Sequence, residues 1–346
     1  MKPEIPTCSP VTWREIYAVA EKFNALRPWE LLDGLDLIGV RNLGSGETGY
    51  GVVMGSEGTL FGYCLYLGAE GFDVYRRLTD MELDIEDDDV FALQYCLKLE
   101  LGSRNYLEPQ DLAVIKSLGL KFKGKNDWPQ FRSLRPSYFP WYLDEKEARF
   151  LNIGLEAVCH HTEELVKGTV EVSMREKEIL VYNVMPGSPA KLTSGWEPRP
   201  VVERKPIPRL PIDLKRISAL GSRKLKPDSP WEAGIFFLPS PLLDSKRPYF
   251  MRVAAVCQQS TGHAFGGEVL PPEAGDAQSL AEAILSSVEK SGFLPEVIYV
   301  GDEDVAVALE PLINSIRSSI RYLEKLDVIL FMKEEMSREL LRKGKY

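Results

Sequence analysis

A proline-rich segment in the middle of the chain is the feature that most constrains its fold. Seven prolines fall between residues 186 and 211 of a 346-residue chain. Proline fixes φ and has no backbone N–H, so such a segment favours an extended, semi-rigid connector over a helix or a central strand. The length on either side suits domains of ordinary size. The sequence therefore predicts two domains, 1–185 and 212–346, joined by a linker at 186–211.

The charge is distributed unevenly along the chain. Residues 186–230 hold ten Lys and Arg against four Asp and Glu, a local net charge of +6, although the whole chain has −9. An acidic protein repels nucleic-acid phosphates, so binding of DNA or RNA would depend on this one basic stretch. The alternative is a solvated connector that lies against acidic domains. We expect the basic segment to pair with acidic surface of its own chain, and we expect no nucleic-acid partner.

Composition and cysteine usage indicate the compartment. Apolar residues make up 44% of the chain, yet no run of about 18 of them occurs. The first residues, MKPEIPTCSPVTW, lack the basic and apolar regions of a signal peptide. Five cysteines, at positions 8, 64, 96, 159 and 257, include no C-x-x-C pair, which is typical of reduced, buried thiols. We expect a cytoplasmic protein without disulfides or membrane spans.

The stretch LGSGETGYGVVMGSEG, residues 43–58, has glycines in the G-x-G-x-x-G spacing of phosphate-binding loops, at Gly44, Gly46 and Gly49. A dinucleotide-binding loop must open a helix, because the helix N-terminus supplies the amide donors. The residues that follow here favour a strand instead. A kinase-type loop between strands needs a lysine on the third strand and H-R-D and D-F-G elements, which the sequence lacks. We expect a meander of strands that binds no nucleotide, and we expect the protein to use no cofactor.

Periodicity predicts the elements of the first domain. Residues 11–26 and 144–166 carry apolar residues at helical spacings, and Asp144 with Glu147 forms a capping-box pattern. Shorter runs predict the remaining elements, which are strands at 35–41, 49–54, 59–67 and 90–101 and a helix at 109–118. The first domain is therefore expected to be α+β, with an antiparallel sheet and helices.

The second domain alternates element types. A hairpin-like set of strands is predicted first, and helices and strands alternate afterwards. The predicted strands are 233–238, 249–257, 263–270, 297–300 and 320–323; the predicted helices are 277–290, 304–317 with an interruption at Pro311, and a C-terminal helix bearing Val328, Met332, Met336 and Leu340. This order predicts an α/β domain with a mixed sheet and helices on its faces.

Two clusters contain residue types that bind metals. Residues 80–89 hold seven acids, but the run lacks the central glycine of an EF-hand loop. Cys159, His160 and His161 are consecutive on a predicted helix, where neighbouring side chains diverge by about 100° and do not easily converge on one ion. We expect no metal at either place.

The order of elements in the second domain resembles the ribonuclease H and transposase superfamily. That resemblance implies carboxylates on the first strand, after the fourth strand and on a late helix, where they bind two metal ions. Asp302 or Asp304 would match the second position, and Glu334 or Glu335 the third. Where the opening strand is expected to end, the sequence VCQQSTG places Gln258 and Gln259 and no carboxylate. The resemblance therefore implies a shape without the metal-dependent activity.

Nearly the whole chain also resembles an uncharacterised prokaryotic family that joins two domains of unknown function. The resemblance is carried by five segments, which are Pro28-Trp29, Gly49–Gly55, RPSYFPW at 135–141, the helix start at 145–150 and RPYF at 247–250. It implies a bacterial or archaeal cytosolic protein and carries no catalytic residues over.

The segment WPQFRSLRPSYFPW, residues 128–141, packs five aromatic residues and two arginines into fourteen positions. Aromatic walls with arginine forks suit carboxylate, phosphate or base recognition. The candidate binding residues are Arg132, Arg135, Tyr138, Trp141 and Arg149. The alternative is a strand pair whose aromatics fill the core while the arginines pair with acids such as Asp33, Asp36 or Glu145.

No nucleophile, metal or nucleotide signature stands out, so the sequence favours a protein that is not an enzyme. The first hypothesis is a non-catalytic two-domain protein that binds a protein partner or a small anionic ligand. The alternative is a degenerate ribonuclease H-like protein that binds nucleic acid through its basic segment. A hydrolase with an unrecognised site stays open.

Overall fold

The computed structural model describes residues 3–80, 89–170, 177–185, 187, 191–201, 206–207 and 209–343. The chain divides into two compact units, residues 2–203 and residues 204–346. No helix within these described ranges is long and apolar enough to cross a membrane.

A seven-stranded sheet forms the N-terminal unit, in the order β5-β4-β3-β2-β1-β6-β7. Its strands are β1 Ile38–Asn42, β2 Thr48–Met54, β3 Phe61–Leu67, β4 Cys96–Gly102, β5 Trp128–Leu134, β6 Glu178–Met185 and β7 Lys191–Pro198. The unit is α+β, as the sequence predicts. The sheet is mixed and not purely antiparallel, however, because β6 returns after a long helix and pairs parallel with β1.

Helices cover both faces of this sheet. They are α1 Pro10–Leu26, α2 Gly68–Thr79, α3 Asp89–Leu93, α4 Pro109–Leu118 and α5 Glu145–Lys167. Helices α1 and α5 pack over one face, where Phe23, Tyr63 and Leu155 belong to the main hydrophobic core. Because side chains alternate along a strand, Tyr50 and Tyr66 point to the other face and pack against α2. The predicted capping box of Asp144 and Glu147 begins α5.

Two predicted elements of this unit differ from the structure. The expected strand 90–101 begins as the short helix α3, and only its second half is β4, because an apolar run does not by itself distinguish helix from strand. Part of the expected linker, residues 191–198, forms β7, which pairs antiparallel with β6 at the edge of the sheet. Its only proline is the last residue, Pro198, so the segment keeps the N–H groups that the pairing needs.

The C-terminal unit has a five-stranded sheet, in the order β11-β10-β9-β13-β14. The strands of this unit are β8 Lys226–Asp228, β9 Trp231–Leu242, β10 Tyr249–Gln258, β11 Ala264–Leu270, β12 Phe293–Pro295, β13 Val297–Val300 and β14 Ser319–Tyr322; β8 and β12 form a separate small sheet. Strands β9, β10 and β11 are antiparallel, whereas β13 runs parallel to β9 and to β14. The predicted mixed sheet is therefore confirmed.

The helices of this unit are α6 Leu214–Gly221, α7 Asp276–Ser291, α8 Glu303–Ser315 and α9 Asp327–Lys343. Helices α7 and α8 pack on one face of the sheet, and α9 packs on the other. The expected interruption of α8 at Pro311 is absent, since the helix runs through it. Leu309, Leu312 and Ile313 are buried on both sides of the proline, and this packing compensates for the lost hydrogen bond.

Candidate functional site

The glycine-rich stretch is the turn of a hairpin between β1 and β2, and the predicted strand after it is confirmed. The side-chain oxygen of Asn42 accepts hydrogen bonds from the backbone N–H groups of Gly44 at 2.9 Å and Ser45 at 3.3 Å. Gly46 has φ of 77°, a value that glycine adopts without strain. The amides that a phosphate would need are therefore already engaged by the turn itself.

Arg132, the first of the predicted binding residues, lies beneath the protein surface. Its two terminal nitrogens donate to the carboxylate of Asp111 on α4, at 2.9 and 2.8 Å. Both residues are 8% exposed. The ring of Tyr142 covers the guanidinium, with 4.7 Å between the guanidinium carbon and the ring centre. This bidentate pair joins β5 to α4.

Arg135 and Arg149 are also paired with carboxylates. Arg135 donates through Nε and Nη2 to Glu147 Oε1, at 3.2 and 2.7 Å. Arg149 donates through the same two nitrogens to Glu145, one turn earlier on α5, at 2.9 and 2.6 Å. The alternative expectation was that these arginines pair with nearby acids such as Asp33, Asp36 or Glu145. Glu145 is confirmed as a partner, whereas the other two partners are Asp111 and Glu147. Each predicted arginine thus has its main fork engaged by its own chain.

Of the other two predicted residues, Trp141 contacts the N-terminal segment and Tyr138 lies in a turn. Trp141 forms an isolated β-bridge with Ser133 and donates from Nε1 to the backbone carbonyl of Glu4 at 2.9 Å. Tyr138 lies in the preceding turn and donates its backbone N–H to Arg135. The segment at 3–9 is also held by Glu145, which accepts from Ser9 N at 2.7 Å. Trp141 therefore holds the N-terminal segment at Glu4, and Glu145 holds it at Ser9.

Beneath this stretch lies a cavity of about 200 Å³, which we call the aromatic cavity. Four rings line it, from Trp13, Tyr17, Phe131 and Tyr142. Further lining residues are Ile5, Pro6, Thr7 and Cys8 of the N-terminal segment, Pro10 of α1, and Gln110, Asp111, Val114, Ser117 and Leu118 of α4. Tyr17 meets Phe131 edge to face, with 5.1 Å between ring centres. The cavity is thus mainly apolar, with the carboxylate of Asp111 already paired to Arg132.

The hydroxyl of Tyr17 is a polar group of the aromatic cavity that has no partner among the described residues. The residue is 2% exposed, and its hydroxyl makes no hydrogen bond with any residue that the structure describes. Burial raises the pKa of Tyr17, and the nearby Asp111 raises it further. The hydroxyl therefore keeps its proton and is available as a donor. Sequence reasoning missed this site, although Trp13 and Tyr17 stand four residues apart on a predicted helix, which places both rings on one face.

The candidate carboxylates of the second domain have structural partners. Asp302 caps α8 by accepting from Val305 N at 2.8 Å, and both Glu334 and Glu335 pair with Arg338. The expectation that Gln258 and Gln259 mark the end of the opening strand is wrong. Gln258 is the last residue of β10, and β9 precedes β10 in the chain. The opening strand β9 carries a carboxylate, Glu232, which is 1% exposed.

The carboxylate of Glu232 is engaged by hydrogen bonds, chiefly from the start of the C-terminal helix α9. Its Oε2 accepts from the backbone N–H groups of Val328 at 2.9 Å and Ile329 at 3.2 Å, and its Oε1 accepts from Gln259 at 3.3 Å. A carboxylate at a helix N-terminus satisfies amides that have no partner within the helix. Within the described part of the chain, no group of three His, Cys, Asp or Glu side chains is placed to hold a metal ion.

The Cys159-His160-His161 cluster diverges as its helical spacing predicts. Cys159 is buried in the core, His160 faces a surface groove, and the ring of His161 lies 2.9 Å from the hydroxyl of Tyr182. Burial lowers the pKa of His161 to about 4, and the neighbouring His160 adds to the effect. Most of the acidic run at 80–89, residues 81–88, lies outside the described residues.

The basic segment pairs with its own chain at Arg216 on α6. This guanidinium contacts Glu282 at 2.6 Å and Glu289 at 2.7 Å, both on α7. The expected pairing with acidic surface is therefore present at this residue. Arg204 and Lys205, which the same expectation covers, lie outside the described residues.

Comparison with known families covers most of the chain. Residues 13–182 match the family model described as domain of unknown function DUF7309, and residues 216–337 match the one described as DUF6930. No curated protein matches the sequence significantly. The resemblance to a family that pairs two domains of unknown function is confirmed, because one such domain model matches each part of the chain.

Proposed function

We propose that the protein is a non-catalytic binding protein and that its aromatic cavity takes a small, uncharged, single-ring compound with one hydrogen-bond acceptor. The unpartnered hydroxyl of Tyr17 inside an aromatic wall carries this proposal. Ligand sites are typically apolar hollows in which a few polar groups set orientation. Here Tyr17 donates to the ligand, and the rings of Trp13 and Phe131 contact its faces.

The size and charge of the cavity support this ligand class. Its volume is about 200 Å³, and engineered cavities of about 150 Å³ in other proteins hold benzene. Asp111 is the charged residue of the lining, and Arg132 neutralises it at 2.8 Å. An anion would lie against the Asp111 carboxylate without a free arginine fork to bind it. We therefore propose an uncharged ligand in place of the anionic one expected from the sequence.

The proposal is tested by calorimetry with two matched probes. Acetophenone has a ring and a carbonyl acceptor, whereas ethylbenzene has the ring without the acceptor. We expect acetophenone to bind at least several-fold more tightly than ethylbenzene, and Tyr17→Phe to abolish that difference. Val114→Phe fills the cavity and should abolish binding of both probes. Equal affinities in the wild type, or binding that survives Val114→Phe, would contradict the proposal.

A second candidate is a ribonuclease H-like domain that binds nucleic acid without cleaving it. The strand order β11-β10-β9-β13-β14, with three antiparallel strands followed by two parallel ones, supports it. The pairing of Arg216 with Glu282 and Glu289 argues against it, since it removes positive charge from the surface. Submicromolar binding of duplex DNA or single-stranded RNA in fluorescence anisotropy, weakened by Lys215→Ala and Arg216→Ala, would favour this candidate. A cytoplasmic location, proposed from the thiols, fits either function.

A further inference from the structure

Three sulfur atoms lie together on the face of the N-terminal sheet that packs against α2. They belong to Met54 of β2, Cys64 of β3 and Cys96 of β4, and we call them the sulfur cluster. The three strands are neighbours in the sheet, with β3 in the middle, so Cys64 is the central member. Neither the family matches nor the proposed function assigns a role to this cluster.

The strand register places Cys64 beside both other residues. Met54 is opposite Gly62, which is two positions from Cys64 along β3. On the other side, Cys64 is opposite Lys98, and Cys96 is two positions from Lys98 along β4. Side chains two positions apart along a strand share one face of the sheet. Met54 and Cys96 are therefore diagonal neighbours of Cys64, within reach of long or polarisable side chains.

The contacts between the sulfur atoms agree with this register. Cys64 Sγ lies 3.6 Å from Met54 Sδ. The thiol of Cys96 donates a hydrogen bond to the sulfur of Cys64, and this bond lowers the pKa of Cys64. Two sulfur atoms that each bind one metal ion at about 2.3 Å lie at most about 4.6 Å apart. The separation of Met54 and Cys64 is within this limit, and the hydrogen bond keeps Cys96 beside them.

Two thiols and one thioether form a soft set of donors. Ligands of this kind favour Cu(I) over harder cations, which prefer oxygen or nitrogen. Zinc is usually held by four ligands, and in the described part of the chain no His, Asp or Glu joins the two thiols in a group of three. The cluster therefore fits Cu(I), which is stable with sulfur ligands alone.

Burial and charge around the cluster suit such an ion. Cys64 is 8% exposed and Cys96 is 1% exposed, whereas Met54 is half-buried and forms the accessible end of the cluster. The hydrogen bond from Cys96 and the ammonium group of Lys98 lower the pKa of Cys64 against the effect of burial. Lys98 outweighs Glu100, its ion-pair partner at 2.7 Å, in this effect. A cation at this distance stabilises the single negative charge of two thiolates with one Cu(I).

We propose that the sulfur cluster binds one Cu(I) ion through Met54 Sδ and the thiolates of Cys64 and Cys96. Each thiol releases its proton to solvent as the ion binds, so one Cu(I) replaces two protons and its oxidation state does not change. The bound ion links β2, β3 and β4 and stabilises the folded domain. This site is separate from the aromatic cavity and does not depend on the ligand proposed there.

The test titrates the full-length protein with Cu(I) in anaerobic buffer, in competition with the chromophoric chelator bicinchoninate. We expect the protein to take one equivalent from the chelator and to develop thiolate-to-copper charge-transfer absorption in the ultraviolet. X-ray absorption at one equivalent should show sulfur neighbours around the copper. Failure to compete with the chelator, or a copper ion surrounded by nitrogen and oxygen, would overturn the proposal.

Three variants assign the ligands. Cys64→Ala and Cys96→Ala should each weaken Cu(I) binding at least tenfold, because each removes a thiolate. Met54→Leu keeps the volume of the side chain and removes only the thioether, so it should stay folded and bind Cu(I) several-fold more weakly. Thermal unfolding without copper shows whether each variant is folded. One equivalent of Cu(I) should raise the unfolding temperature of the wild type more than that of Met54→Leu.

Cys257 provides a matched control. Its Sγ lies 3.5 Å from Met332 Sδ, much like the contact of Cys64 with Met54, but it is the single cysteine of the C-terminal unit. Cys257→Ala should therefore leave the affinity for the first equivalent of Cu(I) unchanged. Undiminished binding in both Cys96→Ala and Met54→Leu, or equal losses in Cys64→Ala and Cys257→Ala, would contradict the assignment.

Discussion

Ser133 Oγ donates a hydrogen bond of 2.6 Å to Oε1 of Glu147, and both residues are buried. The same oxygen accepts from Arg135, while Oε2 accepts from the backbone N–H of Asp144. One carboxylate therefore joins the end of β5 to the beginning of α5. The predicted binding segment is in this way part of the framework that positions the aromatic cavity.

The buried pair of Arg132 and Asp111 should be costly to break on one side. Arg132→Met leaves the Asp111 carboxylate buried without a cation, and we expect the free energy of unfolding to fall by about 3 kcal/mol. Adding Asp111→Asn should recover part of this loss, because the lone charge is then removed. Urea denaturation measures both, and Arg149→Met, which breaks an exposed pair, is the control with little expected effect. Equal losses in the single and double variants would contradict the prediction.

His161 should make stability fall at mildly acidic pH. Its pKa is lowered from 6.5 to about 4 in the folded protein, chiefly by burial. Between these values the unfolded chain binds a proton that the folded chain does not, so the free energy of unfolding decreases as pH falls from 6.5 towards 4. Denaturation curves across this range should show a weaker pH dependence for His161→Gln. Parallel curves for the two proteins would show that His161 does not titrate in this way.

Tyr63 carries a buried hydroxyl that has no hydrogen-bond partner among the described residues. Tyr63→Phe should therefore leave stability unchanged or raise it by up to about 1 kcal/mol, because no bond is lost. Tyr182→Phe is the matched control, since that hydroxyl contacts His161 and its removal should cost about 1 kcal/mol. Thermal unfolding of the wild type and the two variants gives the order of their stabilities. A large loss of stability in Tyr63→Phe would mean that an internal water makes a hydrogen bond with the hydroxyl.

The side chain of Tyr63 also restricts which residue can stand at position 51. The hydroxyl of Tyr63 occupies the space where a Cβ on Gly51 would lie. Gly51→Ala should consequently destabilise the sheet by about 1–3 kcal/mol, the range of overpacked cores. Gly34→Ala, at a position with open space, is its control in the same unfolding assay.

Glu232 should control the beginning of α9. Glu232→Gln keeps an acceptor oxygen and removes the negative charge beside Val328 N and Ile329 N. We expect the unfolding free energy to fall by about 1 kcal/mol and hydrogen exchange at these two amides to accelerate. Exchange at Val305, whose amide bonds to Asp302, provides the internal reference. Unchanged protection at Val328 and Ile329 would argue against the capping role.

Local signals in the sequence predicted much of the fold. The bounds of α4 and β13 agree with the predicted elements, because Pro109 and a short β-branched run define them within a few residues. The capping box of α5 is equally local. By contrast, the sequence did not predict β7, because the prolines around it indicated a linker.

The candidate site could not be predicted in the same way. The partners Arg132 and Asp111 are 21 positions apart and meet only after α4 packs against β5. The aromatic cavity combines the N-terminal segment, α1 and α4, whose proximity no local pattern encodes. The pattern of aromatics and arginines at 128–141 does indicate the neighbourhood, but its arginines are engaged inside the protein. The polar side chains that line the cavity include Tyr17 and Asp111, which lie outside the segment 128–141.

The parallel pairing of β1 with β6 determines when this domain is finished during synthesis. Gly51, one neighbour of Ile38, is translated shortly after it, whereas its other neighbour, Leu180, is translated much later. Until then one side of β1 exposes unpaired N–H and carbonyl groups that a foreign strand could occupy. Such non-local pairing also slows folding. A nascent chain of this protein therefore passes through a period in which a chaperone that shields the edge of β1 would improve the yield of native protein.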